Sequence, residues 1–146
     1  MKISVPENFP HSADVVGDIL LKYKNIAVVG LSSNPMRPSF GVTQYMQAAG
    51  YRIIPVNPNE TEVLGEKSYA RLEDIPGTAK IEIVDIFRRS VNVPPVVESA
   101  IATGAKVIWM QQGVEHQAAA EKARAAGLIV IEDACILIEH RKRHRR

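Results

Sequence analysis

Short apolar, β-branched runs alternate with longer amphipathic stretches along most of the chain. Ile26–Val29, Tyr51–Val56, Ile81–Ile86, Lys106–Met110 and Leu128–Ile131 each have the length and character of a buried strand. Between and around them, helical spacing takes over. Val15, Val16, Ile19, Leu20 and Tyr23 predict a helix capped by Ser12 and running to about Lys24, packed on the edge of the sheet. A second helix is predicted from about Ser39 to Ala49, stopped by Gly50. A third starts at Val93-Pro94-Pro95 and ends at Gly104, and an alanine-rich fourth covers Glu115–Ala126 before Gly127. A short last helix is expected over 134–140. Pro55 cannot donate to a ladder, so its end of the second strand is expected at a sheet edge. Val63–Ile75 reads as irregular or short helix, with a turn at Leu64-Gly65.

Five strands alternating with helices imply an α/β architecture: a Rossmann-like, doubly wound, mainly parallel five-stranded sheet with helices on both faces and right-handed crossovers. The expected layout is a helical extension over 1–24, one Rossmann-like domain over 25–140 and a basic tail over 141–146. In such a sheet, ligands bind beyond the carboxyl ends of the strands, near the reversal of strand order. Those ends carry Gly30–Ser39, Asn57-Pro58, Phe87–Arg89, Gln111–Gly113 and Asp133.

Composition changes this picture in two places. The formal charge of +2 conceals a mildly acidic body: Arg141–Arg146 hold five of the 18 Lys and Arg residues, leaving 13 against 16 acidic groups, a net of −3. The tail alone makes the chain basic. With no aromatic or glycine interleaving it reads as a solvated end, so nucleic acid is an unlikely partner. No run reaches the roughly 18 apolar residues of a membrane span, and the opening Met1–Pro10 breaks at prolines before a signal-peptide core forms. A cytoplasmic protein is expected. One cysteine, Cys135, leaves no internal disulfide and reads as a buried small hydrophobe.

The densest chemistry lies in Asn25–Ser39, where a strand run breaks at Gly30 into a loop of small residues leading to a helix. Gly30 permits a sharp turn, Ser32, Ser33 and Ser39 bring hydroxyls to where helix N–H groups point outward, and Arg37 adds a cation. These are the parts of a phosphate cradle. A dinucleotide fingerprint G-x-G-x-x-G is missing, since only Gly30 fills a glycine position. The acidic residue that selects the NAD ribose is replaced by Asn57, and Pro58-Asn59-Glu60-Thr61-Glu62 supplies no cation for NADP. The ligand expected is nucleotide-like, with NAD(P) a weak alternative.

Ala27–Ser39, Gly50–Pro58, Val84-Asp-Ile-Phe-Arg-Arg89 and Trp109-Met-Gln-Gln-Gly113, in that order, resemble the small single-domain CoA-binding proteins, relatives of the α subunit of succinyl-CoA synthetase and of nucleoside-diphosphate-forming acyl-CoA synthetases. The resemblance covers roughly Asn25–Lys142 and implies a Rossmann-like fold with coenzyme A, or an acyl-CoA, as ligand. It places Gly30, Ser32, Ser33, Arg37, Pro38 and Ser39 near phosphates and ribose, and Val42 beneath the ligand on the following helix. Asn57 and Pro58 then line its flank, Phe87 and Arg88 border the adenine or pantetheine path, and Gln111 and Gly113 approach the pantetheine arm. Gln112 departs from the apolar residue that small relatives often carry there. Glu132-Asp-Ala-Cys135 resembles the family's Asp-Arg-Cys element with alanine for arginine, so Cys135 is not carried over as a ligand.

No Ser-His-Asp order, metal-ligand spacing or carboxylate pair points to catalysis. His116 reads as a surface residue and Asp85 as a structural one. The synthetase relatives work through a phosphorylated histidine on a further domain, which this chain is expected to lack. The expectation is therefore a non-catalytic CoA-binding module. A partner-dependent acyl-CoA synthetase subunit is the second reading, and the sequence leaves a homodimer open.

Overall fold

A computed structural model describes residues 1–144 of the chain. The elements, in order, are β1 (Lys2–Ser4), α1 (Val15–Lys22), β2 (Asn25–Val29), α2 (Pro38–Ala48), β3 (Arg52–Val56), β4 (Glu62–Val63), β5 (Glu66–Lys67), β6 (Ile83–Ile86), α3 (Val93–Ala102), β7 (Val107–Met110), α4 (Gln117–Ala125), β8 (Ile129–Glu132) and α5 (Ile136–Arg143). The five expected strands are present and mutually parallel, in the order β8-β7-β6-β2-β3. By sequence rank this is a 2-1-3-4-5 sheet read from β3, with its order reversing between β2 and β6. Pro55 lies on β3, an edge strand, as its missing donor requires.

Alternate residues of the strands serve two cores. Ala27, Val29, Val84, Ile86, Ile108 and Met110 face α3 and α4, meeting Val93, Val97, Ala119 and Ala123. Ile26, Val28, Ile83, Val107, Trp109 and Ile131 face α1, α2 and α5. Trp109 is fully buried, and its Nε1 donates to Ala134 O at 2.9 Å, so the indole's polar end is satisfied inside the core.

Five expectations need correction. The sheet has a sixth strand, β1, antiparallel to β8 with Ile3 opposite Ile131. Its three residues are too few and too exposed for periodicity to reveal, yet they cover what would otherwise be a bare edge. Helix α1 begins at Val15, capped by Asp14, whose Oδ1 accepts from Gly17 N at 3.1 Å. Ser12 instead binds Asp18, its N–H and hydroxyl each donating at 2.8 Å. The helix also lies on a sheet face and not at an edge, with Val16, Ile19 and Leu20 in the core beside Ile26. The segment after β3 holds a small hairpin, β4–β5, where Leu64 (φ 53°) and Gly65 (φ 78°) form the expected turn. Finally, α5 extends to Arg143, whose guanidinium pairs with Asp14 at 2.6 Å and Glu139 at 3.2 Å. Basic side chains in a last helical turn suit its carbonyl end, so residues 141–143 belong to the helix and not to a solvated tail. Arg145 and Arg146 lie outside the described residues.

Candidate functional site

The junction after β2 is built on a glycine that nothing else can replace. Gly30 has φ +87°, and a Cβ there would lie 2.3 Å from the backbone oxygen of Phe87. Gly30 N donates to Val56 O at 2.9 Å, and Phe87 N donates to Val29 O at 2.9 Å. The carboxyl ends of β2, β3 and β6 are thus drawn together at the reversal point. Beyond Gly30 the loop is held by its own polar side chains. Ser32 Oγ accepts from Asn34 N at 3.0 Å, Asn34 Oδ1 accepts from Met36 N at 2.9 Å, and Ser39 Oγ accepts from Ser32 N at 3.1 Å. Pro38 opens α2 at its first position, where the missing N–H costs nothing.

The β3 loop closes the other side. Asn57 Nδ2 donates to Leu31 O at 3.0 Å, its Oδ1 accepts from Asn59 N at 3.0 Å, and Glu60 Oε2 accepts from Ser33 N at 2.7 Å. Asn57 therefore works as a brace between two loops.

These loops enclose a cleft of about 910 Å³. Of the residues expected at a site, Gly30, Ser32, Arg37, Pro38, Ser39, Val42, Asn57, Phe87, Arg88 and Gln111 line it together. Ser33, Pro58 and Gly113 do not. The exposed Ser33 gives its N–H to Glu60, Pro58 is exposed in the outer turn, and Gly113 is turned back by a bond from its N–H to Asp133 Oδ1 at 2.7 Å. Sequence reasoning missed Asn59, Glu60, Val114 and Cys135 as walls; Arg89 and Gln112, placed at the strand ends by the sequence but given no ligand contact, also line the cleft. Asn59 and Glu60 were within reach of inference, since they share the Asn57 turn. Cys135 was not, because its position depends on where β8 ends; it is half-buried in the cleft wall, not a core residue.

The electrostatics are lopsided. Arg37, Arg88 and Arg89 line the cleft with one carboxylate, Glu60, and among the described residues none of the three guanidiniums is in an ion pair. Arg88 Nε lies 3.5 Å from where a Gly30 Cβ would be, directly beside the strand-to-loop turn. Unpaired cations gathered over a glycine turn suit a multiply charged anion.

The far wall rests on two acids. Asp85, 1% exposed, accepts from Gln111 Nε2 at 2.6 Å. Burial pushes its carboxyl up to about 7, opposed by the Gln111 N–H, which favours the charged form. Asp133 sits at φ 57°, a left-handed conformation that Asp tolerates better than most residues, and its own N–H donates to Val114 O at 3.1 Å. His116 caps α4, its Nδ1 accepting from Ala119 N at 3.1 Å.

Fold and site together define a small doubly wound α/β protein with a basic cleft at its topological switch point. Comparison with known sequences makes this specific. The chain belongs to the CoA binding domain family, whose profile matches residues 24–141. It is 45% identical over 131 residues to the uncharacterized protein YneT of Bacillus subtilis, covering 90% of this chain and 95% of that protein. A solved structure of a hypothetical protein from Pyrococcus horikoshii OT3 superposes with a TM-score of 0.86 at 39% identity, over 97% of this chain and 98% of that one. The α subunit of the ADP-forming acetate–CoA ligase II of Pyrococcus furiosus is 31% identical over 76 residues, which are 51% of this chain but 17% of that subunit.

Proposed function

We propose that this protein binds coenzyme A or an acyl-CoA in the cleft at the carboxyl ends of β2, β3, β6 and β7, without catalysing a reaction on its own. The observation that carries this reading is the trio Arg37, Arg88 and Arg89, unpaired among the described residues, around a glycine turn in a chain of the CoA binding domain family. A pyrophosphate and a 3′-phosphate need several cations within reach, and guanidiniums grip phosphate through two parallel bonds. Ser32, Ser39 and the start of α2 would lie along phosphate and ribose, with Val42 and Phe87 as apolar contacts. A single free cysteine, Cys135, accords with a reducing compartment such as the cytoplasm.

The test is calorimetric titration with CoA, with NAD, NADP and ATP run in parallel. Saturable binding of CoA alone is expected; no CoA binding by folded protein would refute the reading. A second reading, a synthetase subunit that acts only with partner chains, is favoured by the match to an acetate–CoA ligase subunit. Co-purification with an ATP-using partner, and CoA-thioester formation only in its presence, would establish it.

A further inference from the structure

Asp85 lies within the central strand β6 with 1% of its surface exposed, and its sheet neighbours Val28 and Trp109 are apolar. An apolar side chain of similar size would suit that core better than a carboxyl that must be desolvated. Its hydrogen-bond partner among the described residues is the Gln111 amide, at 2.6 Å, and Gln111 is itself part of the cleft wall. A carboxylate offers only acceptors. It therefore dictates which end of the amide turns inward: Nε2 is drawn to Asp85, and Oε1 remains for the cleft with no partner among the described residues.

Resting on the CoA reading above, we propose that Gln111 reads the pantetheine arm by accepting one of its amide N–H groups on Oε1, and that Asp85 is the positioning residue that fixes the amide in that orientation. The arm carries two secondary amides, and each N–H taken out of water needs an acceptor. The cleft's guanidiniums only donate, and Ser32 Oγ, Ser39 Oγ, Asn57 Oδ1 and Glu60 Oε2 each take a backbone N–H, from Asn34, Ser32, Asn59 and Ser33. The acceptors left open on Asn59, Glu60 and Gln112 stand on exposed or half-buried side chains that water reaches. Of the buried polar side chains lining the cleft, Gln111 alone keeps an acceptor without a protein donor among the described residues. The costly carboxyl in β6 thus has a purpose outside the core. It sets the polarity of one wall.

The experiment compares two ligands at pH 8, where Asp85 is ionised: CoA, and adenosine 3′,5′-bisphosphate, which shares the nucleotide but lacks the arm. Gln111→Leu removes the acceptor, and CoA affinity should fall roughly tenfold while the bisphosphate stays within about twofold. Asp85→Asn keeps the shape but lets the amide turn over, and should weaken CoA alone, by about threefold or more. This second variant decides the matter if Gln111→Leu does not fold. A purely structural role would move both ligands together, and that result, or unchanged CoA binding in folded variants, overturns the proposal. If wild-type protein binds neither ligand, the CoA reading itself falls. If it binds both equally, the arm is not read, and only this inference is lost.

Discussion

Arg37 and Gly30 stand in one loop but answer to different demands. Arg37 is exposed, its guanidinium has no ion-pair partner among the described residues, and it enters the fold only through its backbone, which bonds Asn34 O and Phe40 N at the start of α2. Arg37→Ala should therefore weaken CoA binding by about 1–3 kcal/mol in a titration and leave the melting temperature unchanged; equal affinity for both proteins would remove the guanidinium from the site. Gly30 is the converse. An alanine there meets both the φ of +87° and the oxygen of Phe87, so Gly30→Ala should cost roughly 2–3 kcal/mol of stability by chemical denaturation. Both residues were legible in the sequence because their role is local, a strand run broken by glycine with a cation a few positions on. The Asp85–Gln111 contact was not, since it joins side chains from neighbouring strands and depends on sheet order.

At the scale of elements, the amino end of α1 is fastened to the end of α5. Asp14 caps the first helix through Gly17 N and pairs with Arg143, which holds its carboxyl below the usual carboxylate range. Asp14→Ala should cost about 1 kcal/mol of stability, mostly from the lost cap, because an exposed ion pair adds little; thermal melts would check this, and an unchanged midpoint would mean the cap is idle. The sequence suggested Ser12 for this duty. Ser12 is instead engaged by Asp18, and the cap falls to Asp14. Strands of four or five residues announced themselves through β-branched runs, whereas β1, with three residues and one of them Lys, could be seen only once β8 supplied its partner.

For the molecule as a whole, the alternation of strands and helices was enough to predict a parallel sheet, and the 2-1-3-4-5 order explains why the cleft opens where β2 and β6 part. The same central strand links stability to pH. An unfolded Asp85 binds its proton only below about the ordinary aspartate value of 3.8, while burial lets the folded protein hold it up to about 7. Its contribution is present in full below pH 4 and is lost as pH rises toward 7, by up to about 4 kcal/mol. Asp85→Asn should accordingly melt higher than wild type at pH 8, with the difference closing toward pH 5; a gap that does not vary with pH would show that Asp85 does not titrate in this way. Higher stability with weaker CoA binding in one variant would reveal a buried carboxyl whose cost is tied to the cleft.

CoA in this cleft can be followed through the backbone amide resonances of isotope-labelled protein as CoA is added. Saturable shifts are expected, concentrated in residues 30–39, 57–60, 87–89 and 111–114, with α1 and the β4–β5 hairpin undisturbed. No shifts, or shifts centred away from those four loops, would contradict CoA binding in this cleft.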